Sequence, residues 1–157
     1  MADNKLQKNF RHEVTHLQNL IKEKANGIDI VAGTKEDPIV TNSDLVPIKH
    51  YFMDGVYIRE MTMKKGIAVV GAIHKHLHMC FLLTGRITVI NEKETIDHIA
   101  PCFIISKPGV KRVLYAHEDS MWFNTHKNPS NIKDVKQLEK EIVAISYEEY
   151  EEYIKNK

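Results

Sequence analysis

The chain lacks an excess of either charge. Its 22 Lys and Arg stand against 21 Asp and Glu, a formal net charge of +1 with neutral His. Nothing in that balance calls for nucleic acid or an anionic membrane as a partner. It also lacks any apolar run approaching the roughly 20 residues that cross a bilayer, and its polar opening, Met1–Phe10, has no apolar signal core. Cysteine is scarce. Cys80 and Cys102 both lie in apolar, strand-like runs, which reads as two buried free thiols in a reducing cytoplasm; a bridge between two strands is the alternative. There is no internal repeat and no low-complexity linker. What is left is an ordinary globular composition, 43% hydrophobic and 27% charged over 157 residues, enough for one domain with a real core. The one excess is histidine, with nine.

Hydrophobic spacing divides the chain into three. From Lys5 to Lys24, apolar residues at Leu6, Phe10, Val14, Leu17, Leu20 and Ile21 give one helical face, and Gly27 is a stop. Residues 1–27 are therefore expected to form an amphipathic helix. From residue 28 to about 130, short apolar or alternating runs are separated by turn residues. The runs are Ile28–Ala32, Leu45–Phe52, Val56–Met63, Ile67–His74, Met79–Leu83, Ile87–Ile90, Phe103–Ser106, Val110–Ala116 and Ser120–Thr125. Asp54-Gly55, Thr84-Gly85 and Lys107-Pro108-Gly109 are among the breaks, with Lys35–Pro38 early in the series. Many short strands without crossover helices predict an antiparallel sandwich or barrel. Residues 131–157 turn helical again: Ile132, Val135, Leu138, Ile142 and Ile145 share a face, and Ser146 with Glu149 reads as a capping box for a last short helix.

The chemistry concentrates in Ile73-His74-Lys75-His76-Leu77-His78-Met79. On a regular strand His74, His76 and His78 all point to one face. Neutral imidazoles each carry a donor and an acceptor that a plain core would leave unsatisfied, so the pattern predicts a metal or ligand site. The alternative is a surface strand with harmless histidines. His126 ends the last expected strand and is a candidate fourth ligand. Arg112 either plugs the interior against a carboxylate or holds an anionic ligand by its planar fork, unless it simply faces solvent. Tyr57, Arg59 and Met61 share one face of an alternating strand, so Tyr57 is a candidate for contact with a ligand. Trp122 reads as core.

These motifs resemble the cupin superfamily. His74 through Val89, with the apolar strand Met79–Leu83, the turn Thr84-Gly85 and the strand after it, is similar to the first cupin motif. Lys107-Pro108-Gly109-Val110-Lys111-Arg112-Val113 is similar to the second. The resemblance spans about Val56 to Asn124 and implies a single antiparallel jelly-roll β-barrel over residues 28–130. Tyr115–His126 resembles a run found in small cupin-like proteins encoded by bacteriophages, which would place the protein in a host cytoplasm. With Gly85 set on the family glycine, His74 takes the place of the second His of the family pair and His78 that of its Glu. Ala72 and Arg112 then stand where two further His belong. The resemblance implies a divalent transition metal (Fe, Mn, Ni, Cu or Zn), a small-molecule ligand and a homodimer; on the reading of the residues, His74, His76, His78 and His126 are the candidates to hold the metal, and Arg112 and Tyr57 the candidates to contact the ligand. It suits a metal-dependent enzyme acting on a small polar molecule. It also suits a non-catalytic binder of a small anion, or a structural phage protein.

One further motif competes. His12-Glu13-Val14-Thr15-His16 matches HExxH, the zinc-protease pattern that sets two His one turn apart around a general base. Its helix begins the chain with no sheet before it, and no third-ligand motif is near. A metalloprotease is the remote alternative.

Overall fold

In a computed structural model of the chain, residues 2–24 and 46–157 are described. The expected strand Ile28–Ala32, the stop at Gly27 and the break at Lys35–Pro38 lie outside them. Helix α1 (Ala2–Lys24) is followed by β1 (Ile48–Met53), β2 (Gly55–Met63), β3 (Ala68–Val70), β4 (Ile73–His74), β5 (His78–Thr84), β6 (Arg86–Ile90), β7 (Thr95–Ile99), β8 (Cys102–Ser106), β9 (Val113–Ala116) and β10 (Ser120–Asn128). The chain then runs through α2 (Val135–Ile142), β11 (Val143–Ala144) and α3 (Tyr147–Lys155). No helix among the described residues is long and apolar enough to cross a membrane.

The strands make a five-stranded sheet in the order β1-β2-β10-β5-β8, a four-stranded sheet in the order β3-β9-β6-β7, and the pair β11-β4. Every ladder is antiparallel. The two large sheets enclose one core. Met61, Cys80, Leu82 and Trp122 come from the first sheet, and Val69, Ile87, Val89, Leu114 and Ala116 from the second. Trp122 is core, 2% exposed. Among the described residues the sheets do not close into the expected barrel: β7 pairs only with β6 and β8 only with β5, so no described strand joins the outer edges of β7 and β8. The chain steps from one sheet to the other within Ala100-Pro101, and Pro101 has no amide N–H to start a ladder.

Alternation decides what faces inward. Register pairs Met61 with Trp122 and Trp122 with Leu82; one step along, Arg59 with Asn124 and Asn124 with Cys80; one step further, Tyr57 with His126. Inward positions two residues apart rise about 7 Å per step, so the interior changes from an apolar row to a polar one and then to histidine. The turn Thr84-Gly85 needs its glycine. Gly85 has φ +84° and a Cβ there would sit 2.6 Å from the Asp119 carbonyl oxygen and against the Ser120 hydroxyl.

Three elements differ from expectation. The run Ile67–His74 divides into β3 and β4, which lie in different sheets. β7 is not among the expected strands, because Thr95 to Asp97 are all exposed and alternate too weakly to signal an edge strand. The spacing places Ile142 and Ile145 on one helical face, but α2 ends at Ile142 and Val143 is extended (φ −128°, ψ 157°). β11 follows and pairs with β4, setting Val143 opposite His74 and Ala144 opposite Ile73. Asp134 caps α2 by accepting from the Gln137 amide, and Ser146 caps α3 by accepting from the Glu149 amide. Val14 of α1 packs with Val70, Ile73, Val113, Ala144 and Tyr147, while Leu138 and Ile142 of α2 close over Tyr57 and Ala72.

Candidate metal centre

His74, His78 and His126 come from three elements and meet in the interior. One ring nitrogen of each lies within 4.8 Å of the others. The ring centroids are 4.1 Å apart for His74–His78, 4.7 Å for His78–His126 and 4.9 Å for His74–His126. All three are buried, at 9%, 5% and 3% exposure. Each has one buried ring nitrogen with no hydrogen-bond partner: Nδ1 of His74, Nε2 of His78 and Nε2 of His126. Such groups are rare because each forfeits its hydration. For His78 the tautomer follows from geometry. Its Nδ1 lies 3.2 Å from the His76 carbonyl oxygen, an acceptor only, so Nδ1–H donates and Nε2 keeps its lone pair.

The electrostatics hold these rings neutral. Burial pushes His78 down to about 4, with the Arg112 charge adding to it. Burial, followed by the neighbouring His78 and His126 rings, drives His74 well below the ordinary value. Burial, then His78 and Arg59, does the same to His126. A metal binds the neutral imidazole, so at neutral pH no proton has to leave. The donor set fits a transition ion. Bonds of ~2.0–2.1 Å put nitrogens about 3.4 Å apart around a tetrahedral ion, so the cluster would contract by about an ångström to seat one.

His76 lies apart from the cluster. The strand expected to run through His74, His76 and His78 bends at Lys75-His76. The cause is the C-terminal end of α2, whose last carbonyls have no partner within the helix. The Lys75 backbone N–H donates to the Ile142 carbonyl (2.8 Å), Lys75 Nζ to that of Lys140 (2.7 Å) and His76 Nε2 to that of Glu141 (3.2 Å). Capping that helix turns His76 outward against Tyr153. The His74 carbonyl accepts from the Gly109 amide at 3.0 Å, which holds the bend from the other side.

Tyr57 is fully buried beside His126, with ring centroids 5.9 Å apart. Its hydroxyl contacts His50 Nδ1 at 2.7 Å and accepts from Arg59 Nε at 3.3 Å. It supports His126 from behind. Arg59 and Glu139 form a buried ion pair, the carboxylate reaching in from α2 with no exposure. Asn124 Oδ1 accepts from Trp122 Nε1 at 3.1 Å and from the Cys80 thiol at 3.2 Å, which orients its amide. Cys80 and Cys102 are both free, and burial pushes the Cys80 thiol up to about 12. Arg59, Asn124 and Glu139 carried no motif in the sequence. Their only signal was alternation on β2 and β10, and for Glu139 a charge on the apolar side of a helix. The HExxH histidines, His12 and His16, are exposed on α1, away from the cluster.

A cavity of about 40 Å³ opens beside His74, lined by Arg59, Ala72, Arg112, Trp122 and Asn124 among others. That is room for about three water molecules. Arg112 is half-buried and, among the described residues, no carboxylate pairs with it, so the interior plug against a carboxylate is made by Arg59, not Arg112.

No protein-family model matches the chain, and no curated protein matches it. Solved structures do. KdgF from Halomonas sp. aligns over 66% of this chain and 96% of its own at 12% identity with a TM-score of 0.50. Salicylate 1,2-dioxygenase from Pseudoaminobacter salicylatoxidans, solved as adducts with gentisate, aligns over 78% of this chain and 32% of its own at 12% identity with a TM-score of 0.51. A Cupin 2 conserved barrel domain protein from Salinispora arenicola aligns over 59% of this chain and 83% of its own at 10% identity, TM-score 0.48. The structural neighbours include cupin-domain proteins, and at these identities the likeness is one of fold.

Proposed function

We propose that the protein is a small metal-binding protein of cupin type, with a divalent transition ion on His74, His78 and His126 and a small-molecule ligand held by Arg112. One observation carries this reading: three buried imidazoles converge, each with an orphaned ring nitrogen. Three imidazoles suit Fe, Mn, Ni, Cu or Zn, and a bound ion would supply Lewis-acid or oxygen-activating chemistry. The chain's own residues do the rest. Tyr57 and the bend at Lys75-His76 orient the rings, Asn124 presents a fixed amide, and Glu139 neutralises Arg59 so that Arg112 is left as the cation for a ligand. The non-catalytic alternative, a binder of a small anion, is favoured by that same unpaired Arg112.

Metal content decides between them. Elemental mass spectrometry of untagged protein should find near-stoichiometric metal, retained in His76→Ala and lost in His78→Ala and His126→Ala. A wild type that stays empty after supply of each divalent ion would sink the metal reading and leave the anion binder.

A homodimer belongs to this proposal. Met79, Leu83, Phe103 and Ile105 are exposed together on the outer face of β5 and β8, an apolar patch of the kind that marks an interface. Sedimentation should show a dimer that Phe103→Asp converts to monomer; a monomeric wild type refutes it.

A further inference from the structure

The 40 Å³ cavity beside His74 is too small for any ligand beyond a few atoms. Arg112, however, lines a second and much larger cavity of about 350 Å³. This one lies between the edges of β7 and β8 that no strand among the described residues joins, and is bounded by Ile96, His98, Ile104, Lys93 and Lys107 as well as Arg112. Its size is at the lower end of small-molecule sites. Val89, Ile96, Ile104 and Val110 give it apolar walls, while Lys93, Lys107 and Arg112 bring three cations against the one carboxylate of Glu94. Glu94 is partly occupied by the Asn91 amide, 3.4 Å away. Apolar walls with a convergent positive rim fit an amphipathic anion.

We propose that the slot between β7 and β8 binds a small carboxylate with an apolar body, and that Arg112 takes its carboxylate at the boundary between the two cavities. The body lies against Ile96 and Ile104. The charged head meets the guanidinium fork, which matches a carboxylate in two parallel hydrogen bonds. Lys93 and Lys107, both exposed at the rim, draw the anion in. Only the head, or a group beside it, reaches the inner cavity and His74. The site deepens the functional reading given above by naming a ligand class and its path, but it stands without metal.

The test therefore uses chelator-treated protein. Hexanoate and its uncharged isostere hexanamide are titrated, with inorganic phosphate as an anion lacking an apolar body. Backbone amide shifts of Ile96, His98 and Ile104 report the slot. Fluorescence of Trp122, the sole tryptophan, reports the inner cavity. Hexanoate is expected to bind with a Kd on the order of 1 mM, at least about tenfold tighter than the amide, since a hydrogen-bonded charge is worth that factor. Phosphate should be weaker than hexanoate. Arg112→Gln should cut the preference for acid over amide to the roughly threefold that the two lysines supply. Because that residue is half-buried, the surface double variant Lys93→Ala/Lys107→Ala is run beside it and should weaken hexanoate about threefold, the amide not at all. Acid and amide binding alike in the wild type, shifts that map away from β7 and β8, or no binding by hexanoate at all would each overturn the proposal. Metal content plays no part in these readouts, so failure here and failure of the metal centre are separable.

Discussion

Acidifying the metal-stripped protein should destabilise it strongly between pH 7 and pH 5, with His78 as an identifiable contributor. Its folded pKa is lowered to about 4 by burial, from an ordinary 6.5. A lowered histidine favours the neutral form, so the folded state binds fewer protons than the unfolded chain between those values. The stability that its neutral ring supports is complete above the unfolded value and is lost as pH falls toward the folded one. Integrating the difference gives about 2 kcal/mol at pH 5 and about 3 kcal/mol at pH 4. His78 is 5% exposed, so solvent screening takes little from this. His74 and His126 shift in the same direction and add to the loss. In urea titrations with chelator, a slope of about 2 kcal/mol per molar makes the His78 share a drop of about 1 M in midpoint from pH 7 to pH 5. His78→Gln, which does not titrate, should lower the overall drop by that amount. A variant that loses as much stability on acidification as the wild type would refute the account of a buried neutral ring. Excess zinc in the wild type should raise stability at pH 7 and make the acid loss steeper, because protons then compete with the ion for the same nitrogens.

Glu139→Ala should cost about 3–5 kcal/mol by leaving Arg59 buried without its counter-charge, while Glu139→Ala/Arg59→Met should recover much of it; thermal denaturation of the two reads the difference, and equal losses would mean that the pair is not coupled. Gly85→Ala should cost about 2 kcal/mol or more, since φ is +84° and the new methyl meets the Asp119 carbonyl; a denaturation midpoint unchanged from wild type would show that the turn adapts.

The sequence carried most of the fold because its signals were local. Alternation in Val56–Met63 and Ser120–Thr125 identified two adjacent strands, and Pro108-Gly109 and Thr84-Gly85 marked real turns. His74, His78 and His126 were legible as site candidates from spacing and residue type. His76 was drawn into the same reading because period-2 alternation assumes an unbroken strand. What breaks it is a set of carbonyls about 65 residues further along, at Lys140 to Ile142, and no local pattern can announce such a partner. The same holds for Glu139, which reads as one more charge on a helix of mixed charge until Arg59 stands opposite it. The failure of β7 and β8 to join was hidden for a different reason. Closure depends on how two sheets twist past each other, and Thr95–Ile99 has too mixed an alternation to declare which edge it occupies.

The pairing of β11 with β4 has a consequence for the order in which the molecule is made. A ribosome has produced all three cluster histidines once it passes His126, yet the carbonyls that bend the chain at Lys75-His76 belong to residues 140–142, and the strand beside His74 to Val143-Ala144. During synthesis at the usual ~5–20 residues per second, there is an interval in which the histidines exist but the segment that orders them does not. On the metal-binding proposal, an ion arriving then would meet a looser set of imidazoles than the finished protein presents, and the choice of metal would follow what the cell offers at that moment as well as the final geometry.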